Sequence, residues 1–185
     1  MANDAQNVTF GKPKATGAVY VAPAGTALPT NATTGLDAAF KGLGYISDAG
    51  LVNAIKTGTQ EVYAWGGNKV LVGQNTFSET FTVQLLETNA DALGVYYGAD
   101  NVTVSGDNIT IKQSSEELAE CVVVFETVQT GGRIKRIVVP HAKLVDRSGD
   151  IKYTDKDAVM YPAMFEALPD TSGNTHTEYI AVVTS

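Results

Sequence analysis

The sequence predicts a mainly β fold: an antiparallel β-sandwich or partial barrel with one flanking α-helix and a long inter-strand loop. Three observations carry that expectation. From Thr76 to Leu86 the residues alternate, with Phe77, Phe81, Val83 and Leu85 on one side and Thr76, Ser78, Thr80, Thr82 and Gln84 on the other. A period of two marks a strand with one apolar face. About nine such strand candidates recur along the 185 residues, at the spacing of an antiparallel sandwich or barrel. Only one segment reads as a helix, and strands do not alternate with helices, which argues against a parallel α/β sheet.

Taken in order, residues 1–15 show no periodicity and are expected to form an extended arm. Thr16 to Ala22 reads as a short strand ended by Pro23 and Gly25. Ala24 to Leu36 is small, polar and turn-rich, a surface loop, and Leu36 to Phe40 has the composition of one helical turn. Tyr45 to Ser47 begins another short strand. Val62 to Trp65 and Lys69 to Val72 flank Gly66-Gly67-Asn68, where glycines supply the positive φ angles of a tight hairpin. Within the long segment from about 40 to 75, this ribbon has little to rest on, and two strands alone are barely stable in water.

The Thr76–Leu86 strand runs into Thr88 and Asn89, both good helix N-caps. Ala92, Leu93, Tyr96 and Tyr97 follow at helical spacing before Gly98 ends the turn. Val102 to Val104 and Ile109 to Ile111 flank Ser105 to Asn108, a hairpin signal. Ala119 to Val128 and Gly132 to Val139 form a second pair around Gln129 to Gly132, and Pro140 requires an edge or a bulge in the return strand. Tyr161 to Leu168 and Thr177 to Val183 close the set.

Composition narrows the class. Hydrophobic residues make up 44% and charged residues 18%, as in globular chains. No apolar run approaches the ~20 residues of a membrane span, and Met1 to Lys14 lacks a signal-peptide pattern, so a soluble protein made in a cytoplasm is expected. The single Cys121 cannot form an intramolecular disulfide and reads as a small apolar strand residue. Of the net charge of −7, the excess acid lies in residues 61–130, where two lysines stand against ten acidic residues. Such a segment repels phosphate backbones, which argues against a sequence-reading nucleic-acid binder; an ordinary solubilising surface accounts for the same charge.

No catalytic constellation is present. His141 and His176 are the only histidines and stand far apart in sequence, and one cysteine cannot complete a zinc site. Asp155-Lys156-Asp157 and Asp146 to Asp150 lack the acidic density of an EF-hand loop. There is no nucleophile elbow and no phosphate-binding loop. Glu116 and Glu117 sit side by side on a polar connection and do not form an acid/base pair in a cleft. The expectation is a structural or binding protein, with no enzyme activity, metal or cofactor. The alternative weighed is a carbohydrate-binding or adhesin-like β-sandwich module, for which Tyr63 and Trp65 are the one candidate aromatic pair.

Six strings stand in a fixed order: Gly17 to Ala22 followed by Pro29 to Phe40, then Leu43 to Gly50, Thr76 to Thr88, Gly149 to Ala158, and Tyr161 to Asp170. Together they resemble the major tail tube proteins of long, flexible-tailed bacteriophages, over almost the whole chain. The resemblance implies one tail-tube-type domain over 1–185, with an N-terminal arm (1–15) and a long loop or hairpin arm (about 40–75). It also implies hexameric rings stacked into a tube through which DNA passes without sequence-specific binding. Partners would be further copies of the chain and the tape-measure, tail-terminator and baseplate proteins. The location would be the virion tail, after synthesis in the bacterial host cytoplasm. Tyr63, Trp65, Lys69 and Val70 are then expected at a subunit interface. Glu79, Glu87, Glu116, Glu117 and Glu120 are candidates for facing the channel. A one-residue slip in strand register would reverse each of these facings.

Overall fold

Alternation and turn chemistry place the strands much as expected in a computed structural model, which describes residue 3, residues 7–147 and residues 149–182. Most of the first six residues of the expected N-terminal arm, and Val183 at the end of the last strand, lie outside the described residues. Eleven strands are present among the described residues: β1 (Gly11–Pro13), β2 (Val19–Pro23), β3 (Lys41–Gly42), β4 (Val52–Tyr63), β5 (Lys69–Leu85), β6 (Val102–Ser105), β7 (Asn108–Ile111), β8 (Cys121–Gln129), β9 (Arg133–Asp146), β10 (Tyr161–Ala167) and β11 (Thr177–Val182). One helix, α1 (Ala90–Tyr97), stands between β5 and β6.

Nine strands form one antiparallel sheet in the order β3-β2-β8-β9-β10-β5-β4, with β1 added to β8 and β11 to β9; β6 and β7 pair separately. The 14-residue β9 is the fork of this sheet. Along one side it pairs with β8; along the other, Arg133–Val138 takes β11 and Ala142–Asp146 takes β10. Pro140 sits in this paired strand at a bulge: Val123 faces Val139 while Cys121 faces Ala142, so β9 carries an additional residue there. The bulge solves the missing N–H donor of proline and bends the strand.

The bent sheet folds over its own core without closing into a barrel. Phe81 of β5 and Phe125 of β8 belong to strands separated by two others in the sheet, yet their rings stack with centroids 5.3 Å apart. Around them lie Val83, Leu85, Val123, Val139, Ala163 and Phe165, all essentially without solvent exposure. The helix closes one side of this core with Ala92, Leu93 and Tyr96. Its N-terminus is capped as the sequence indicates: Ala92 N–H donates to Asn89 Oδ1 at 2.8 Å. Gly98 ends it at φ +100°, a backbone that a side chain would strain.

The loop from Ala24 to Leu36 is more than a surface connection. Arg136 of β9 donates from its guanidinium to the carbonyls of Asn31 and Thr34, both at 2.8 Å, and also to Glu126 of β8, while Lys14 reaches Glu126 at 2.7 Å. These bonds fix the loop over the outer face of β8 and β9 and bury Ala32. That is why β8 reads Val122-Val123-Val124-Phe125 without alternation: both of its faces are covered.

Candidate assembly surface

The hairpin of β4 and β5 concentrates exposed large hydrophobic residues, among them Val52, Ile55, Val62, Trp65, Leu71 and Phe77. The two strands pair from Val52↔Thr82 out to Tyr63↔Lys69, so β5 continues 17 residues from the core into a projecting ribbon. The arm and the core strand, separate in the sequence pattern, are one strand. Burial alternates from Glu79 to Leu85 and then stops, and every residue of β5 before Ser78 is exposed. Two register shifts, at Gly58/Thr59 and Val62/Tyr63, add twist. The tip turns at Gly66 and Gly67, with φ +108° and +89°, and Ala64 N–H donates to Asn68 O at 2.8 Å.

At that tip the four interface candidates stand close together. Tyr63 faces Lys69 across the ladder, and Lys69 Nζ lies 6.0 Å from the centre of the Tyr63 ring. Both side chains bond Glu61, Lys69 to one carboxylate oxygen and the Tyr63 hydroxyl to the other. The Lys69 bond first, then that of Tyr63, hold the Glu61 carboxyl below its usual range, and the Glu61 carboxylate pushes the Tyr63 phenol up. Trp65 occupies the turn fully exposed, and Val70 is 61% exposed beside it. Val52, Ile55, Val62, Leu71, Val72 and Phe77 extend the apolar surface down the arm. Of these, Val62, Leu71 and Val72 lie in the poorly supported ribbon that the sequence pattern marks, whereas Val52, Ile55 and Phe77 lie outside it. The mixed Val52–Gln60 stretch carries no signal of its own.

The five acidic candidates do not share one surface. Glu79 is fully buried inside the protomer, which corrects its assignment to a channel-facing surface. Its position is core-facing by the same alternation that buries Phe81, and its carboxylate is satisfied within the chain. Asn53 Nδ2–H donates to Oε1 at 2.7 Å, Thr175 Oγ1–H to Oε2 at 2.5 Å, and His176 Nδ1 lies 2.9 Å from Oε2. Burial pushes this carboxyl up, but the bonds from Thr175, Asn53 and His176 outweigh it and hold the carboxyl below its usual range. Glu87 is half-buried and committed locally, to Tyr45 N–H at 2.8 Å and Asn89 Nδ2–H at 2.9 Å. Glu116, Glu117 and Glu120 are exposed on the connection into β8. Lys143 bonds Glu117 at 2.6 Å and lowers its carboxyl, and His141 Nδ1 lies 3.6 Å from Glu120.

Two of the sheet's terminal strands carry exposed apolar residues along an open edge. The outer side of β4 has no partner among the described residues, nor does that of β11, where Ile180 and Val182 are exposed. Long apolar edges of this kind are templates for pairing with another chain. Elsewhere the chemistry is quiet: burial pushes the Cys121 thiol up to about 12, and its Sγ–H donates to Ala142 O at 3.5 Å. It is therefore a thiol at neutral pH, not a nucleophile.

A family model described as phage tail tube protein matches residues 1–182. The chain belongs to the phage tail tube protein family. It is a structural subunit of the tail tube, located in the virion tail, and its self-assembly with other tail proteins follows from that membership. Among curated proteins no match to this tail tube protein is found.

Proposed function

We propose that this tail tube protein assembles into hexameric rings, that the rings stack into a tube, and that the tube conducts the genome during delivery. The observation that carries this reading is the β4–β5 arm, a long ribbon with many exposed apolar residues and no partner surface among the described residues of its own protomer. Contact with a neighbouring subunit would bury Trp65, Val62 and Leu71 and occupy the open edge of β4. At roughly 25 cal/mol per Å² of apolar surface removed from water, a ribbon of this size contributes several kcal/mol to each subunit contact. In such a ring the exposed Glu116, Glu117 and Glu120 would face the channel, where like charge keeps DNA sliding without adhesion. The tape-measure protein would fill the channel before DNA enters, and terminator and baseplate proteins would close the two ends.

Negative-stain electron microscopy of the purified protein tests the reading. Tubes with a regular axial repeat are expected. A particle that stays monomeric at high concentration and binds glycans would overturn it. For the channel set, Glu116→Lys combined with Glu120→Lys should leave tubes intact while duplex DNA begins to co-sediment with them. Loss of tubes would instead place these residues in a subunit contact.

A further inference from the structure

Glu79 sits where β5 leaves the body. Phe81, two residues along the strand, is fully buried; Phe77, two residues before, is about half exposed. Its carboxylate collects donors from two segments far apart in sequence: Asn53 in the arm, and Thr175 and His176 in the link that enters β11. The two segments share no ladder, since β4 pairs with β5 and β11 with β9. We propose that Glu79 is a latch that couples the hairpin arm to the carboxy-terminal strand, so that ordering or loosening one is transmitted to the other.

The reason is the cost of a buried carboxylate left short of donors. With three partners it is satisfied; removing one strands charge in the interior, which weakens the remaining bonds' hold on the same geometry. The arm root and the β11 link therefore open together. The cluster continues outward: the His176 ring stands edge-on to Phe81 with centroids 5.6 Å apart, and its Nε2 lies 3.9 Å from Glu178 Oε1. Glu178 belongs to β11 and is paired with Lys135 of β9 at 2.6 Å. A displacement of Glu79 thus reaches the strand whose outer edge is open. The coupling belongs to the single chain; its use in signalling between contacts of a ring rests on the tube-subunit reading.

Hydrogen–deuterium exchange on the unassembled protein, resolved by segment, tests it with two reciprocal variants. Thr175→Val changes only the carboxy-terminal link, yet should speed exchange about tenfold in Val52–Phe77 as well as in Thr177–Val182. Asn53→Ala changes only the arm, yet should speed exchange in β11 to a similar degree. Glu79→Gln should loosen both segments and leave α1 unchanged; if that variant does not fold, the two single-donor variants decide. Exchange that rises only in the segment carrying the substitution, or in neither, overturns the coupling. Because this readout needs no tube, its failure is distinguishable from a failure to assemble.

Discussion

Arg136 and Glu126 show what one buried pair does for this chain. Each side chain is about 2% exposed, and the guanidinium meets Glu126 together with two loop carbonyls. A buried pair is expensive to form and more expensive to break, because the survivor is left charged in the interior. Arg136→Ala should therefore cost about 3–5 kcal/mol in chemical denaturation. Replacing both residues with apolar side chains of similar size should cost less than that single change. Glu79 makes a prediction with a sign. Its folded carboxyl is held below the unfolded value, so its contribution is present above the unfolded pKa and lost as pH falls through the folded one. Stability of the wild-type chain should drop on acidification below about pH 4.5, and Glu79→Gln should flatten that part of the profile. An unchanged slope in the variant would remove Glu79 from the acid response.

At the scale of elements, α1 is the best test of local chemistry. Asn89→Ala removes the side-chain cap on Ala92 N–H and should cost about 1 kcal/mol. Gly98→Ala should cost more than a helix-propensity change, because φ is +100° and the added carbon would stand 2.9 Å from Leu118 Cδ2. Thermal unfolding of the two variants checks both. This helix was legible because cap, apolar spacing and terminal glycine agree within ten residues. The Phe81–Leu85 face and the Gly106–Asp107 hairpin were legible for the same reason, as each rests on local pattern. The arm was only half legible. Val52 to Gln60 carries no alternation, since neither of its faces is buried in the protomer and burial is what selects an apolar face. Phe77 continues the alternation of Phe81 but is exposed, because the body ends at Glu79. Glu79 itself broke the apolar pattern, and its partners Thr175 and His176 lie nearly a hundred residues away, beyond any local signal.

Across the whole molecule, the proposed assembly assigns stability and assembly to different surfaces. One cluster from α1 and strands β2, β5, β8, β9 and β10 holds the protomer, and the arm adds exposed apolar surface beyond it. Substituting Trp65→Ser together with Leu71→Ser should leave the melting temperature of the monomer nearly unchanged, within about 0.5 kcal/mol in stability. The same change should abolish large assemblies in sedimentation velocity. Cryo-electron microscopic reconstruction of the assembled protein tests the central claim most directly. Six copies per ring are expected, with the ribbon from Val52 to Phe77 ordered against a neighbouring copy. A tube in which that ribbon projects free into solvent, or a preparation that forms no rings, would contradict it.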